Sequence, residues 1–585
     1  ADQVFGDLPK HKRVSSLSEL VDLLLQAKNP STDAPLLSAR YHLFLRSLEG
    51  AFVSYWPQKR VFLDRKTGED GYTAFEVALC RECGQHYFVT QKDFKGGRLL
   101  EAIRDPSHVN FGATFFRPID DNDSSDDEEN GESNSRQVFK LCVQCGEVHP
   151  SKPACGHDQL IQVVREASSQ DEDKADQMTR CGACGYNAAG RDPVREVVHG
   201  TDGPHAVIAT TLYQSLPEKR KKVLAFADGR QEAAFFAWYL EVSYKDILSR
   251  NLILKIARSI TQYPAIGIGL STIADQAFSN FREAFKYRPS DDEPTIRKNI
   301  WRAIYREFLT EEQRISLEGV GLVRWSIEWP EWFKFPEELS ESPWSLTEEE
   351  SLNLIFVLLD TMRTDRAVEL RPGAGISLNW GDLDLQASQM RFTPIDRGKL
   401  RKGERRWAGT AGKRARYLAK LLTRNGLLEQ EALQLAIEIL RSIWDKIRRS
   451  DEEVQYRDHL LLPADDARRL NPDWWRLHLI ADDDTIYQCD TCARLQSVSV
   501  QGVCPRHGCH GTLQKIHRSN LVPNHYRILY EEELPGFLRV EEHTAQLDKE
   551  KAREFQREFK QGKIHVLSCS TTFELGVDLG DLDTI

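Results

Sequence analysis

The chain has 585 residues, of which 40% are hydrophobic and 29% are charged, a composition that excludes a wholly disordered or fibrous protein. This length is enough for about three or four domains. The net charge is −11, but eight of the acids lie in the stretch 120–132, so the remainder is close to neutral. Because we find no signal peptide and no run of about twenty apolar residues, we expect a cytoplasmic protein that does not enter a membrane.

Residues 80–200 contain three C-x-x-C pairs and predict a zinc-binding module. Cysteines in such pairs favour metal ligands over disulfides, because two thiolates of one tight turn converge on one ion. In one arrangement Cys142 and Cys145 form a site with Cys155 and His157, and the first and last pairs form a second site. In the other arrangement, Cys142 and Cys145 share one metal site with Cys181 and Cys184. The acidic loop 119–136 is expected to be disordered. The candidate ligands are Cys80, Cys83, Cys142, Cys145, Cys155, His157, Cys181 and Cys184.

The segment KVLAFAD, from Lys222 to Asp228, predicts a strand, and Gly229-Arg230-Gln231 begins a helix after it. An arginine at a strand-to-helix turn, beside the free N–H groups of a helix N-terminus, suits a phosphate group. An ordinary ion pair of Arg230 is the alternative.

Residues 241–480 are predicted to be a mainly helical insertion. Within it, 413–462 predicts two helices around Asn425-Gly426, similar to a helix-turn-helix or winged-helix core, although any α domain pairs helices in this way. A basic segment precedes these helices, and its cations and aromatics suit phosphates and bases. The alternative is a solvated linker. The nucleic-acid candidates here are Arg401, Arg405, Arg406 and Trp407.

Residues 481–522 predict a zinc ribbon with the ligands Cys489, Cys492, Cys504 and Cys509. His507 or His510 is an alternative to Cys509. Four protein ligands leave no open coordination position, so a structural Zn²⁺ is expected here. Together with residues 80–200, the chain is expected to hold two or three structural zinc ions.

The C-terminal segment predicts a strand at Phe537–Val540, an amphipathic helix, and a second apolar strand that is followed immediately by the polar residues Ser568–Thr572. This is a βαβ unit, and ligands of open α/β sheets lie beyond the carboxyl ends of such strands. Gly576 permits close approach of the backbone, and Asp578 offers an acceptor for a sugar hydroxyl. An ordinary turn after a core strand is the alternative.

Three segments resemble motifs IV, IVa and V of the second RecA-like domain of superfamily 2 DEAD/DEAH-type helicases. They are FADGRQEAAFFA, HTAQLDKEKAREFQREF and VLSCSTTFELGVDLGDLD. The resemblance is to the MrfA/YprA-like, DUF1998-associated group, also found among phage-defence helicases, and it covers residues 38–238 and 524–585. It implies that Arg230, His543, Ser570, Thr571 and Gly576 line the nucleic-acid track or the cleft. It also implies that Arg230, Gly576 and Asp578 contact ATP, with Asp578 near the ribose.

The expected fold class is therefore α/β: a RecA-like parallel sheet split by a mainly helical insertion, plus zinc ribbons. The expected divisions are a linker from a missing first RecA-like domain (1–79), the zinc module (80–200), the first part of the second RecA-like domain (201–240), the insertion (241–480), the zinc ribbon (481–522) and the second part of that domain (523–585).

The chain contains no G-x-x-x-x-G-K-[ST] loop, no DEAD or DEAH tetrapeptide and no arginine-rich motif VI. We therefore expect a fragment of an ATP-dependent DNA helicase that hydrolyses no ATP alone and needs the first RecA-like domain, ATP and Mg²⁺. Single-stranded or forked DNA is the expected partner, and a protein partner of the insertion is a further hypothesis. The competing function is a non-enzymatic zinc-ribbon scaffold that binds nucleic acid or a protein and keeps a degenerate RecA-like lobe.

Overall fold

The chain separates into two compact units, residues 1–47 and 48–585. In the first, the described residues form one helix, α1 (Lys10–Gln26). All other elements belong to the second unit. A computed structural model describes residues 4–5, 7–30, 50–63, 73–81, 84–91, 97–99, 102–103, 108, 112–119, 138–151, 153–166, 178, 181–183, 193–197, 202–217, 221–227, 229–262, 265–287, 290–310, 315–383, 385, 392–398, 400–401, 403–410, 412–448, 458–532, 536–544 and 547–570.

The largest sheet of the described residues is antiparallel and has ten strands. Its order is β2-β1-β3-β4-β6-β9-β7-β8-β5, with β10 also paired to β3. The strands are β1 (Phe52–Ser54), β2 (Arg60–Phe62), β3 (Ala74–Cys80), β4 (His86–Gln91), β5 (Gly97–Arg98), β6 (Ala113–Ile119), β7 (Val138–Cys142), β8 (Glu147–His149), β9 (Leu160–Arg165) and β10 (Val194–Glu196).

Both faces of the middle strands are buried. Phe88 and Phe116 pack on one face, whereas Tyr87 and Phe115 pack on the other, as the alternation of side chains along a strand requires. The sequence analysis predicted zinc ligands in this region but not the sheet. Its boundary between residues 79 and 80 falls inside β3. The α/β class is thus confirmed in its coarse form, with an antiparallel sheet as the largest one.

A separate sheet of three parallel strands has the order β11-β21-β20. It joins the two segments that the sequence analysis assigned to one lobe. The helix α3 covers one face and α11 the other, so Val566 packs towards α3 and Leu567 towards α11. The elements here are α2 (Asp202–Ser215), β11 (Val223–Ala227), α3 (Arg230–Ser259), β20 (Val540–His543), α11 (Lys549–Lys560) and β21 (Val566–Ser570).

The boundary predicted between residues 240 and 241 lies inside α3, which continues to Ser259 because its buried apolar stripe continues. The insertion contains strands as well as helices: β12, β16 and β13 form one antiparallel sheet, and β14 and β15 form a hairpin. Its elements are α4 (Leu270–Gln276), α5 (Phe278–Ala284), α6 (Glu293–Phe308), α7 (Glu348–Thr364), α8 (Lys413–Arg424), α9 (Glu429–Arg448), β12 (Ile268–Gly269), β13 (Val323–Ile327), β14 (Leu461–Ala464), β15 (Ala467–Leu470) and β16 (Trp475–Leu479).

The core of the insertion contains a buried cation, Arg363, near the end of α7. Its guanidinium lies 2.7 Å from Glu318 and 2.6 Å from Asp360, and it donates a hydrogen bond of 2.6 Å to the carbonyl of Phe308. The rings of Trp325 and Trp475 flank it. Because this buried charge is fully paired, it fixes the position of the C-terminal end of α7.

The remaining elements are the zinc-ribbon strands and a short helix. The ribbon strands form an antiparallel sheet of order β18-β17-β19. They are β17 (Thr485–Cys489), β18 (Leu495–Gln496) and β19 (Leu513–His517), followed by α10 (His525–Glu531). Among the helices within the described ranges, none is both long and apolar enough to cross a bilayer.

Candidate functional site

The carboxyl ends of the three parallel strands meet at one edge of their sheet. In the register, Ala227 at the end of β11 is opposite Ser570, and His543 at the end of β20 is opposite Cys569. Arg230 follows β11 after a short turn. This edge therefore gathers Arg230, His543 and Ser570 from two segments that the insertion separates in sequence, and we call it the carboxyl edge.

Arg230 is the first residue of α3 and is exposed. The turn before it is fixed by Gly229, whose N–H donates a hydrogen bond of 3.2 Å to the carboxylate of Glu232. Within the part of the chain that the structure describes, no side chain forms an ion pair with Arg230. An exposed guanidinium at a helix N-terminus is a favourable group for an anion.

His543 was predicted to lie in the loop after a strand at 537–540, but the strand β20 runs from Val540 to His543 and includes it. Its Nε2 lies 3.1 Å from Nε2 of Gln556 on α11. Burial of the ring lowers the pKa of His543, so the neutral form is favoured at neutral pH. The side chain is half-buried against α11, which limits how much of it the carboxyl edge presents.

The serine hydroxyls at the end of β21 are less available than the sequence suggested. The hydroxyl of Ser568 donates a hydrogen bond of 2.8 Å to the carbonyl of Ala233 on α3, and Ser570 is buried as well. Cys569 is a core residue, as predicted, and burial raises its pKa to about 12. The candidates Thr571, Gly576 and Asp578 lie outside the described residues.

The predicted ribbon ligands Cys489, Cys492, Cys504 and Cys509 form one cluster that can hold a metal ion. The Sγ atoms of Cys489 and Cys509 are 3.6 Å apart, and those of Cys492 and Cys504 are 3.8 Å apart. A tetrahedral zinc ion with Zn–S bonds of about 2.3 Å requires sulfur separations of about 3.8 Å, so the donor set fits zinc. The alternatives His507 and His510 are not part of this cluster.

The second cluster consists of Cys142, Cys145, Cys155 and His157, which is the first of the two predicted pairings. Sγ of Cys142 lies 3.5 Å from Nδ1 of His157, close to the separation of about 3.6 Å that a shared zinc ion would impose. The turn between β7 and β8 supplies the first two ligands, and the loop before β9 supplies the others. Joining Cys142 and Cys145 to the last pair is therefore not the arrangement adopted.

Cys80 and Gly84, which flank a third C-x-x-C pair, share two features with the equivalent residues of these two clusters. Gly84 has φ +71° and its N–H lies 3.0 Å from the carbonyl of Cys80. The equivalent values are φ +80° and 2.8 Å for Gly146 and Cys142, and φ +54° and 3.0 Å for Ala493 and Cys489.

Cys181 lies near Cys80 of this third pair. Cys80 and Cys181 are buried in one cluster with Tyr87, whose hydroxyl is 2.9 Å from Sγ of Cys181. The remaining predicted ligands, Cys83 and Cys184, lie outside the described residues.

The basic segment, residues 397–416, corrects one predicted contact. Trp407 is buried, and its ring packs at a tilted angle against that of Trp444, with the ring centroids 5.3 Å apart. Its Nε1 donates a hydrogen bond of 2.7 Å to the carbonyl of Leu440. Trp407 therefore cannot stack on a base. The guanidinium of Arg406 donates to the carbonyls of Arg397 and Gly398, which holds the turn together.

The two predicted helices of the winged-helix candidate are α8 and α9, and the hairpin β14–β15 follows them. However, α8 packs against the ribbon. Nζ of Lys420 donates hydrogen bonds to the carbonyls of Cys504 and Cys509, the latter at 2.6 Å. The exposed face of α9 carries four carboxylates and three cations, and thus lacks the excess of positive charge that a recognition helix needs.

Comparison with known proteins gave one family match. A family model described as the YjiV N-terminal domain matches residues 61–198, which include most of the ten-stranded sheet and the Cys142 cluster. Comparisons with curated proteins and with solved structures gave no match. The chain is thus similar to the YjiV N-terminal domain over this span.

Proposed function

We propose that this chain supplies the second RecA-like lobe and the zinc modules of an ATP-dependent DNA helicase of superfamily 2. The main support is the carboxyl edge, where three parallel strands from segments on both sides of the insertion bring together Arg230, His543 and Ser570. In open α/β sheets, such an edge is where nucleotides and nucleic-acid backbones bind.

In this proposal, Arg230 contacts a phosphate group, assisted by the N–H groups at the start of α3. Gln556 holds His543 at the end of β20. Of the residues proposed to contact ATP, only Arg230 lies within the described ranges. ATP and Mg²⁺ binding is proposed to require the first RecA-like domain, because this chain has neither a phosphate-binding loop nor a DEAD or DEAH tetrapeptide.

DNA binding tests the role of the carboxyl edge. We expect Arg230→Ala to weaken binding of single-stranded and forked DNA in fluorescence anisotropy and to reduce the salt slope by about 0.7 on the single strand. The matched control is Lys563→Ala, which removes an exposed cation at the opposite end of the same sheet, just before β21. Equal affinity of both variants and the unmodified chain would contradict the proposal.

ATP turnover tests the requirement for a first RecA-like domain. We expect no hydrolysis by the chain alone, with or without DNA. Turnover above that of a preparation with Arg230→Ala and Asp578→Ala would show that the chain has a complete ATPase site, and the proposed division of the helicase would be wrong.

We also propose that the two observed clusters and the Cys80 turn each bind structural zinc, with Cys80 and Cys181 as ligands of the third ion. The two backbone features shared at Cys80, Cys142 and Cys489 support this, as does the burial of Cys80 beside Cys181. Native mass spectrometry is expected to find three zinc ions, and two after Cys80→Ser. The control Cys569→Ser should keep three, and an unchanged count in Cys80→Ser would exclude the third site.

The competing function, a zinc-ribbon scaffold without ATPase activity, is favoured by the close packing of the ribbon on α8. Adding a first RecA-like domain to the chain discriminates between the two. DNA-stimulated ATP turnover supports the helicase, whereas its absence, with DNA or protein binding retained, supports the scaffold.

A further inference from the structure

Asp365 is a buried carboxylate directly after the end of α7, and three cations surround it. Its carboxylate lies 2.9 Å from Nζ of Lys413, 3.3 Å from the guanidinium of Arg405 and 3.8 Å from that of Arg414. Burial by itself raises the pKa of Asp365, but the three cations together lower it to about 2. The carboxylate therefore stays ionised at neutral pH.

The charges at this cluster do not balance, because one carboxylate faces three cations. Among the described residues, two other cations of the basic segment have their own carboxylates: Arg397 pairs with Glu404 and Asp466, and Arg416 with Glu429. Arg406 donates to backbone carbonyls instead. Among the residues that the structure describes, the cluster around Asp365 therefore carries an excess of two positive charges. A buried or half-buried excess of one sign is costly and favours a counter-ion at its exposed side.

The exposed side is formed by Arg405 and Lys413, whose side chains are 47% and 26% exposed. Arg414 is 4% exposed and stacks on the buried ring of Trp407, so it adds charge without reaching solvent. Lys413 also begins α8, whose first turn has no acidic residue and no side-chain cap. The free N–H groups of that turn add to the positive potential.

We propose that Arg405 and Lys413 bind a phosphate group of a single-stranded nucleic acid, with Asp365 as the residue that positions both side chains. The inference rests on the proposed nucleic-acid function but concerns a second contact, on the insertion. It also differs from the sequence-based set, because Arg406 and Trp407 take no part. A phosphodiester carries one negative charge and therefore neutralises part of the excess positive charge. It can bind while Arg405 and Lys413 keep their positions beside Asp365.

The test measures anisotropy of a labelled oligothymidine across a salt series. Arg405→Ala and Lys413→Ala are each expected to weaken binding several-fold at low salt and to reduce the salt slope by about 0.7. Lys413→Arg keeps the charge and should bind as the unmodified chain does. The matched control is Arg441→Ala, which removes an exposed cation of α9 whose partner is Asp396.

Several outcomes would overturn the inference. One is unchanged affinity and slope in both alanine variants; another is an equal loss in Arg441→Ala, which would indicate a general effect of charge. Binding of inorganic phosphate that does not compete with the oligothymidine would identify a free-anion site instead. The affinity of Arg230→Ala is measured separately. If that variant binds DNA more weakly while Arg405→Ala and Lys413→Ala bind as the unmodified chain does, the proposed function stands and only this second contact is excluded.

Discussion

The basic segment and the carboxyl edge were both predicted to contact nucleic acid, but their side chains have different surroundings. In the basic segment, Trp407 is buried and most cations are paired with carboxylates or carbonyls. At the carboxyl edge, Arg230 is exposed and has no ion-pair partner among the described residues. The segment richer in cations thus offers only a few of them to a ligand.

The comparison teaches that the number of cations does not determine how many can bind a phosphate. Long-range partners determine it: Asp466, which pairs with Arg397, lies between β14 and β15, and Leu440, which accepts the hydrogen bond of Trp407, comes from α9. A paired surface cation has little left to gain from a phosphate, since its charge is already compensated. The following predictions test this difference, from the largest expected effect to the smallest.

Loss of zinc from the ribbon should affect the basic segment and not the carboxyl edge. Cys504→Ser is expected to abolish metal binding there, and structural zinc contributes on the order of 10 kcal/mol in isolated zinc peptides. Because Lys420 ties α8 to the ribbon, hydrogen exchange should accelerate in α8 while β21 stays protected. The control His510→Ala should retain zinc. Equal acceleration in β21 would show that the two regions are not independent.

Trp407→Ala should lower the unfolding free energy of the chain. Removing this buried ring and its hydrogen bond to Leu440 is expected to cost about 3–5 kcal/mol of unfolding free energy, measured by denaturant titration. Trp238→Ala is the control, because its ring is 60% exposed and the change should stay within about 0.5 kcal/mol. A stable Trp407→Ala variant with weaker DNA binding would mean that Trp407 is a base-stacking residue after all.

Asp365→Asn should destabilise the chain by about 2 kcal/mol at pH 7. The pKa of Asp365 is depressed in the folded state to about 2. Its contribution is therefore present above the unfolded pKa of about 4 and is lost as pH falls through about 2. The difference between variant and unmodified chain should shrink over this window in pH-dependent unfolding. A difference that stays constant down to pH 2 would contradict the ion cluster.

Ser568→Ala tests whether the serine next to the carboxyl edge is structural. Loss of its buried hydrogen bond to Ala233 should cost about 1 kcal/mol in denaturant titration, with DNA affinity unchanged. Ser279→Ala, at an exposed position of α5, should change stability by less than about 0.5 kcal/mol. Reduced DNA binding by a fully stable Ser568→Ala variant would assign this hydroxyl to the ligand.

Where a pattern depended on neighbours in sequence, the prediction from sequence was close. The helix α11 begins after Asp548, whose side chain accepts a hydrogen bond of 2.8 Å from the N–H of Lys551, and it ends before Gly562 with φ +70°. Of its predicted stripe of Ala552, Phe555 and Phe559, the two phenylalanines are buried and Ala552 is half-buried. Caps and helical periodicity are local properties, so they can be recognised without the fold.

The predictions failed where the structure depends on contacts between segments that are distant in sequence. The ten-stranded sheet was missed, because several of its pairings join strands that are distant in sequence, such as β3 with β10 and β6 with β9. The α3 helix was predicted too short, since the change from the lobe to the insertion occurs within one continuous helix. His543 was placed in a loop, although β20 extends to it by pairing with β21.

The sequence by itself identified the pairs Cys142/Cys145 and Cys489/Cys492 as metal ligands, because a C-x-x-C turn brings two thiolates together within a few residues of backbone. It also determined the βαβ unit of β20, α11 and β21. Only the tertiary structure decided that Cys142 and Cys145 join Cys155 and His157, that β11 pairs with β21, and that Trp407 faces the core. These outcomes depend on which distant surfaces pack together, and short-range spacing carries no information about that choice.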